Sequence, residues 1–481
     1  MRNNIPLLFA RQLYITAVKS RQCKVLAGIL TILIIYAGWT GFSTWQQQAA
    51  SRQQYQQQVR DNWEKMPDKH PHRMAHYGYL VFRPKYPLSM FDPGMESYTG
   101  NSIFLEAHRQ NTTNFSEAGL STGLLRFGEI SLAMILQVLL PLMIIFIGFN
   151  TVAEDRENGT LKILLGQGAS WQSIIFGKTM GLLALGLTVL VPVLLLLVAG
   201  CAFLQQSLHA DEVLRICSIF LAYAIYLGII SLITALVSSV SRSARVALVS
   251  LIGIWLVFTI IIPRSATAVG KQLYAAPSKI EFESGIEKEL IKKGDSHNPN
   301  DPYYKALRDS VLNLYKVDSV QQLPFNYSGF QMKEGEKISA AIYNQHLKEL
   351  LHIYQKQNGV TAASAFINPF AALRNFSMAA CGTDFDAYTL FQQQAEDYRY
   401  QLAQYMNELQ IKLIGNNKSG DHNKPQIISH DYWKTLPQLD LKAPSPKEIL
   451  KQEQVAIIAL LYWTALLTAI VILFSRKIKS A

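Results

Sequence analysis

Residues 154–178 read EDRENGTLKILLGQGASWQSIIFGK, a segment charged at its start, with glycine at 159, 166, 168 and 177, set between two long apolar runs at 130–153 and 179–204. A polar stretch pinned between two such runs reads as a short loop held against a membrane. Runs free of Asp, Glu, Lys and Arg also cover 25–51, 216–241, 246–263 and 454–475. Each reaches the ~18 apolar-dominated residues needed to cross a hydrocarbon layer of about 30 Å. With 49% hydrophobic and only 16% charged residues over 481 positions, the chain is more apolar than a soluble protein of this length needs to be.

The net charge of +11 raises nucleic acid as a partner, but its distribution argues otherwise. Arg2, Arg11, Lys19, Arg21 and Lys24 all precede the first apolar run, with no acid among the first sixty residues. Arg242 and Arg245 lie between the fourth and fifth runs, and Arg476, Lys477 and Lys479 follow the sixth, whereas 205–214 holds Asp211 and Glu212. This pattern places basic short loops on the cytoplasmic side, with both termini cytoplasmic and no nucleic-acid stripe. Gln48-Ala49-Ala50 is a poor cleavage site, so the first run reads as an anchor and not as a cleaved signal.

The expected fold is therefore an all-α polytopic membrane protein, with six transmembrane helices and a mainly helical extracytoplasmic domain. An interfacial segment covers 1–24, and spans cover 25–45, 130–153, 179–204, 215–241, 246–263 and 454–475. Extracytoplasmic segments cover 46–129 and 264–453, with a short outer loop at 205–214. Cytoplasmic connections fall at 154–178 and 242–245, and a tail at 476–481. In the interfacial segment Leu13, Ala17 and Val18 alternate with cations, the pattern of a helix lying in the membrane surface among lipids.

Beyond the first span the Gln-rich stretch is free of Gly and Pro, so that helix is expected to continue as a polar stalk. Residues 77–82 alternate as a short strand or hairpin. Apolar stripes at Ala340, Tyr343, Leu347, Leu350 and Tyr354, and at Tyr388, Phe391, Ala395, Tyr398, Leu402, Tyr405 and Leu409, predict two helices. Each needs the other, or a partner subunit, to bury its seam. Asn358-Gly359 is the expected stop of the first, and Asp384 the cap of the second.

His70, His72 and His76 with Met74 raise a metal reading, but taken together their spacing reads as neither an i, i+4 helical pair nor a Cys/His finger, and no metal is expected. Cys201 and Cys217 fall near the outer ends of adjacent spans, as a pair or as two small packing residues. Gly177-Lys178-Thr179 resembles the end of a phosphate-binding loop, yet position 172 is Gln and not Gly, and an apolar helix follows. No other nucleotide, protease or hydrolase motif is present, so the chain is not expected to be an enzyme.

Within the loop, Glu154, Asp155, Arg156 and Glu157 precede a Gly159-Thr160 break and an amphipathic turn of Leu161, Leu164 and Leu165. Asn158 or Thr160 is expected to cap that turn, whose leucines would dip into the interface or fill a groove on a soluble partner. Glu154-x-x-Glu157-x-Gly159-Thr160-Leu161, followed by Leu164-Leu165, Ser170 and Gly177-Lys178, resembles the coupling-loop signature of ABC-2-type permeases, the membrane subunits of ATP-binding-cassette exporters. Stretches 72–78 (HRMAHYG), 100–110 (GNSIFLEAHRQ) and Gly382-Thr383-Asp384 are similar to a subgroup with large outer insertions, related to gliding-motility and copper-enzyme-maturation permeases.

The resemblance implies a bacterial inner (cytoplasmic) membrane location and a partner ABC ATPase on the cytoplasmic face that binds the ATP and Mg2+. It also implies a second permease copy or a sister permease. No cofactor is expected in this chain. Ionisable residues are missing from the span centres, so an amphipathic or hydrophobic export substrate follows more naturally than an ion. Two alternatives are an ABC-coupled mechanotransmitter acting on an envelope partner, and a membrane sensor or scaffold without an ATPase.

Overall fold

The computed structural model describes residues 5–111, 130–205, 209–294, 298, 300–416 and 426–479; Arg2, 112–129 of the first long segment, 206–208 of the short loop and the side chains of Lys477 and Lys479 lie outside that description. It is 78% helical, and six of its helices are long and apolar enough to cross a membrane.

Helix α1 (Ile5–Lys19) leads through Ser20 into α2 (Arg21–Glu64), an unbroken 44-residue helix. A helix of that length rises about 66 Å, roughly twice the hydrocarbon thickness, so its Gln-rich half is the expected stalk. Then come α3 (Pro71–Ala75), β1 (Tyr79–Phe82) and β2 (Ser102–Leu105), the strands pairing antiparallel with Tyr79 opposite Leu105. The alternation at 77–82 is thus half of a hairpin, whose other half lies twenty residues on. Gly78 sits at φ 81° with the Phe104 ring where a side chain would stand, so glycine is required there.

Helix α4 runs through Leu132–Met134, widens into a π turn at Ile135–Leu139 and continues over Leu140–Gly148. Two short helices, α5 (Ala153–Glu157) and α6 (Thr160–Gly166), connect it to α7 (Trp171–Gln205). Next are α8 (Ala210–Val240) and α9, which covers Ala244–Leu256, a π turn at Val257–Ile261 and Ile262–Leu273. The second long segment folds as α10 (Lys279–Lys293), α11 (Pro302–Tyr315), α12 (Tyr327–Ala363), α13 (Pro369–Cys381), α14 (Phe385–Leu413), α15 (Asp431–Lys434) and α16 (Pro446–Gln452). Helix α17 (Gln454–Lys479) is the last apolar one.

A π turn loosens the helical ladder, and in hydrocarbon a freed carbonyl has no water to turn to. Here side chains supply the donors: Tyr226 Oη donates to Gln137 O at 3.1 Å, Trp255 Nε1 to Val138 O at 3.1 Å, and Asn368 Nδ2 to Phe258 O at 2.9 Å. Asn368 introduces α13, which belongs by sequence to the second long segment but packs between α8 and α17 with Phe370, Leu373, Phe376 and Ala380 in the core of the spans. Beside it, buried Asp92 accepts from Ser377 Oγ at 2.5 Å, and Tyr223 Oη meets Gln137 Nε2 at 2.7 Å and Ser377 Oγ at 3.0 Å. Burial pushes the Asp92 carboxyl above its ordinary range.

A second core joins the two long segments. The α14 stripe buries Phe391, Ala395, Tyr398, Leu402 and Leu409 against Trp63, Met74, Tyr79, Val81 and Leu105, so most of its seam is closed within the chain by the hairpin, while Tyr388 near its start faces the α12 stripe. The α12 stripe shares with α10 and the start of α14 an open groove of about 710 Å³, lined by Phe282, Tyr343, Leu347, Leu350, Tyr354 and Tyr388. Helix α12 does not stop at Asn358-Gly359 but continues to Ala363. Just before that glycine, Gly270 of α9 approaches the Gln357 backbone so closely that an added Cβ would lie 3.0 Å from Gln357 O. Cys201 is buried, Cys217 is exposed and both are free thiols.

Between α12 and α14, Arg399 is gripped by Glu336 at 2.7 Å and by Glu396 at 2.7 Å, all nearly inaccessible to solvent. Arg399→Met should therefore lower stability by about 3–5 kcal/mol, since it strands buried carboxylates; chemical denaturation of the detergent-solubilised chain measures this. A separate pH effect belongs to Glu453, whose carboxyl burial and the neighbouring Asp384 and Asp386 push up to about 7. Its favourable contribution is complete while the acid stays protonated in both states, below about pH 4.5, and is lost as pH rises to 7. Stability should fall by roughly 3 kcal/mol across that window, and Glu453→Gln should flatten the profile of melting midpoint against pH.

Candidate functional site

The loop that organises the sequence sits at one end of the six-helix bundle, opposite the helical domain. Its acidic turn is a junction of three long helices. Val152 and Ala153 donate their backbone N–H groups to Ser238 Oγ at 3.0 and 3.1 Å, which starts α5 on the end of α8. Arg156 then donates to the carbonyls of Ser239 and Ser241, the last of α8, where a cation complements the helix dipole. Glu157 Oε1 accepts from Ala244 N at 3.3 Å, placing an anion at the start of α9. Asp155 pairs with Lys178 of α7 at 3.4 Å. Glu154 remains exposed, held to Asn150 one turn back.

Gly159 adopts φ 75° and reverses the chain between α5 and α6. Glycine, and not the side chain of Asn158 or Thr160, stands at the α6 N-terminus, and Asn158 instead ends α5. The expected apolar face of α6 is also turned around. Leu161 is buried and Leu164 and Leu165 are half-buried against the chain's own core, so none of the three forms the outward face. What α6 presents to solvent is Thr160, Lys162 and Ile163, the last 60% exposed. The sequence shows only the leucine spacing; that α6 folds back onto its own bundle is decided by the left-handed turn at Gly159.

Gly177-Lys178-Thr179 lies within α7 and has a packing role. A side chain at Gly177 would meet Pro6 O and Phe9 Cβ at 2.6 Å, and one at Gly181 would meet Ala10 O at 2.9 Å. Two glycines four apart form a groove into which α1 settles, the close backbone approach that small residues allow between apolar helices. Helix α1 thereby lies across α7 with Phe9 and Ala17 buried, while Leu7, Leu8, Ile15 and Val18 stay exposed beside Arg11 and Lys19. Arg21, at the start of α2, is exposed as well. An apolar stripe flanked by cations is the surface an interfacial helix presents to lipid.

The histidines divide. His70 caps α3 by accepting from His72 N at 3.2 Å and Met74 is fully buried, so neither joins a cluster. His72 and His76 do stand four residues apart with their rings 4.7 Å apart, an i, i+4 pair that corrects the reading of the histidine spacing from sequence. Gly177→Val should cost about 1–3 kcal/mol through the clash with α1, and should raise amide exchange across Ile5–Lys19 in mass spectrometry. Gly166→Val, whose added carbon meets nothing within 4 Å, is the matched control.

A family model described as a domain of unknown function (DUF3526) matches residues 279–438, which run from the start of α10 to just beyond α15 and exclude the loop and all six apolar helices. No curated protein and no solved structure matches the chain.

Proposed function

We propose that the chain is the membrane subunit of an ABC-2-type exporter, with the Glu154–Lys178 loop on the cytoplasmic face receiving the motion of a separate ATPase. The observation that carries this reading is the junction at α5. A push on the exposed α5–α6 surface is delivered at once to the ends of α8 and α9 through Arg156 and Glu157, and to α7 through the Asp155–Lys178 pair. A loop that merely connected α4 to α7 would need none of these ties. The basic α1, bedded in the Gly177–Gly181 groove, is suited to rest on the inner leaflet and to keep α7 in register. The cargo of such a subunit, an amphipathic or hydrophobic molecule, would be matched by spans that carry hydroxyls and amides but no charges at their centres. A second permease copy, or a sister chain, would complete the path.

One observation favours a mechanical variant of the same reading, in which motion passes to the helical domain. Helix α2 runs without a break from the loop end into that domain, where Arg52 donates to Arg83 O at 2.8 Å and Trp63 Nε1 to Trp433 O at 3.2 Å. A rigid rod so anchored transmits tilt.

Glu154→Lys combined with Ile163→Asp alters only exposed positions, and should abolish stimulation of the hydrolysis rate of a co-reconstituted ATPase while leaving the melting midpoint unchanged; full stimulation by that variant counts against the proposal. Ile163→Cys in a Cys217→Ser background should resist a membrane-impermeant maleimide in intact cells and react after permeabilisation. Labelling in intact cells would invert the assigned sidedness.

A further inference from the structure

Three imidazoles that are scattered in the sequence meet at one edge of the helical domain. His72 lies on α3 and His76 at its C-terminal end, while His108 stands in the turn after β2. Their ring centroids form a triangle with sides of 4.7, 5.4 and 5.3 Å. One ligating nitrogen from each lies within 4.8 Å of the others. Two histidines four apart on a helical face are the spacing at which a pair of imidazoles shares one ion, and a third from another element completes a facial set.

The third ring is the one the structure holds most firmly. His108 Nδ1 lies 3.1 Å from Glu336 Oε2, and the His108 backbone N–H donates to the same oxygen at 3.3 Å. Glu336 belongs to α12, has no exposed side-chain surface, and is itself fixed by Arg399. A buried carboxylate that accepts from Nδ1–H sets the tautomer so that Nε2 keeps its lone pair, which is the carboxylate–histidine arrangement behind metal-bound imidazoles. The same contact secures the His108 backbone at φ 62°, an uncommon conformation for a residue with a side chain. The buried trio of Glu336, Glu396 and Arg399 carries one more acid than base, which suits a nearby cation.

Imidazole sets of this kind take the late first-row divalent ions. Tetrahedral coordination with metal–nitrogen bonds of about 2.0–2.1 Å places the nitrogens roughly 3.4 Å apart. Closing the triangle from the 4.8 Å limit requires contraction of up to about 1.4 Å by this measure, which would fall to the exposed His76 and half-buried His72 side chains. We propose that His72, His76 and His108 form a binding site for a late first-row divalent cation of the Zn2+ type, with Glu336 as a positioning residue and a fourth coordination place for water or a ligand from a partner. Such an ion ties α3 to the turn after β2, and the His108–Glu336 contact links that turn to α12 of the second long segment.

The test uses the tag-free full chain in detergent, stripped with chelator and titrated with Co2+ as a visible probe, then with Zn2+ by calorimetry. The expected result is one ion per chain, a tetrahedral Co2+ absorption band displaced by Zn2+, and a melting midpoint that rises with Zn2+ concentration. His76→Ala and His108→Ala should each weaken Zn2+ binding about tenfold or more, Glu336→Gln by about 10–100-fold with stoichiometry kept, and His352→Ala not at all. His76 is exposed, so its variant folds whatever the others do. Absence of saturable Zn2+ uptake at micromolar concentration, or uptake unchanged in both His76→Ala and His108→Ala, overturns the proposal.

Discussion

Hydrocarbon offers no partner for a backbone N–H or C=O, and the architecture of this chain follows from that deficit. Six helices satisfy most of their own backbone, but two of them contain π turns whose carbonyls would otherwise stand open. Each is answered by a donor from another helix: Tyr226 and Trp255 at the turn in α4, Asn368 at the turn in α9. The donors bring their helices with them. Asn368 draws the start of α13 against α9, and Tyr226 locks α8 to α4, so meeting a local hydrogen-bond requirement also fixes how the bundle is packed.

The same logic explains why the helical domain is not a separate body hung on a membrane anchor. Helix α13 is counted with the second long segment, yet it lies between α8 and α17 and closes a polar knot of Asp92, Gln137, Tyr223 and Ser377. Asp92 comes from the first long segment, Gln137 and Tyr223 from apolar helices, and Ser377 from α13. A displacement of α4 or α8 is therefore felt by both long segments. Arg215, at the domain end of α8, adds to this by donating to the carbonyls of Ala380 and Pro444.

At the opposite end, charge does the same work with fewer residues. Three consecutive side chains, Asp155, Arg156 and Glu157, reach three different long helices, each with the sign its partner favours. Their order in the sequence is the order of the helices they tie together in space, α7, α8 and α9. This makes the acidic turn a fixed junction, beside which α6 keeps the face of Thr160, Lys162 and Ile163 exposed.

Period and run length within one segment were enough to place the six long apolar helices, the unbroken length of α2, the α14 stripe and the position of the loop. Apolar periodicity does not depend on what covers it. Which partner each stripe meets was settled only in the folded chain: α14 mostly against the hairpin, α12 along a groove shared with α10 and the start of α14, and the leucines of α6 turned inward by a left-handed glycine. It also decided that Gly177, which by spacing looks like a fragment of a phosphate loop, is the seat of α1. The histidine cluster shows the division most plainly. His72 and His76 are one turn apart in any helix, but His108 joins them only because a β-hairpin folds back over α3 and a buried glutamate, more than two hundred residues away, holds its ring in place. Contacts at that separation are set by the three-dimensional closure of the chain, and no local pattern encodes them.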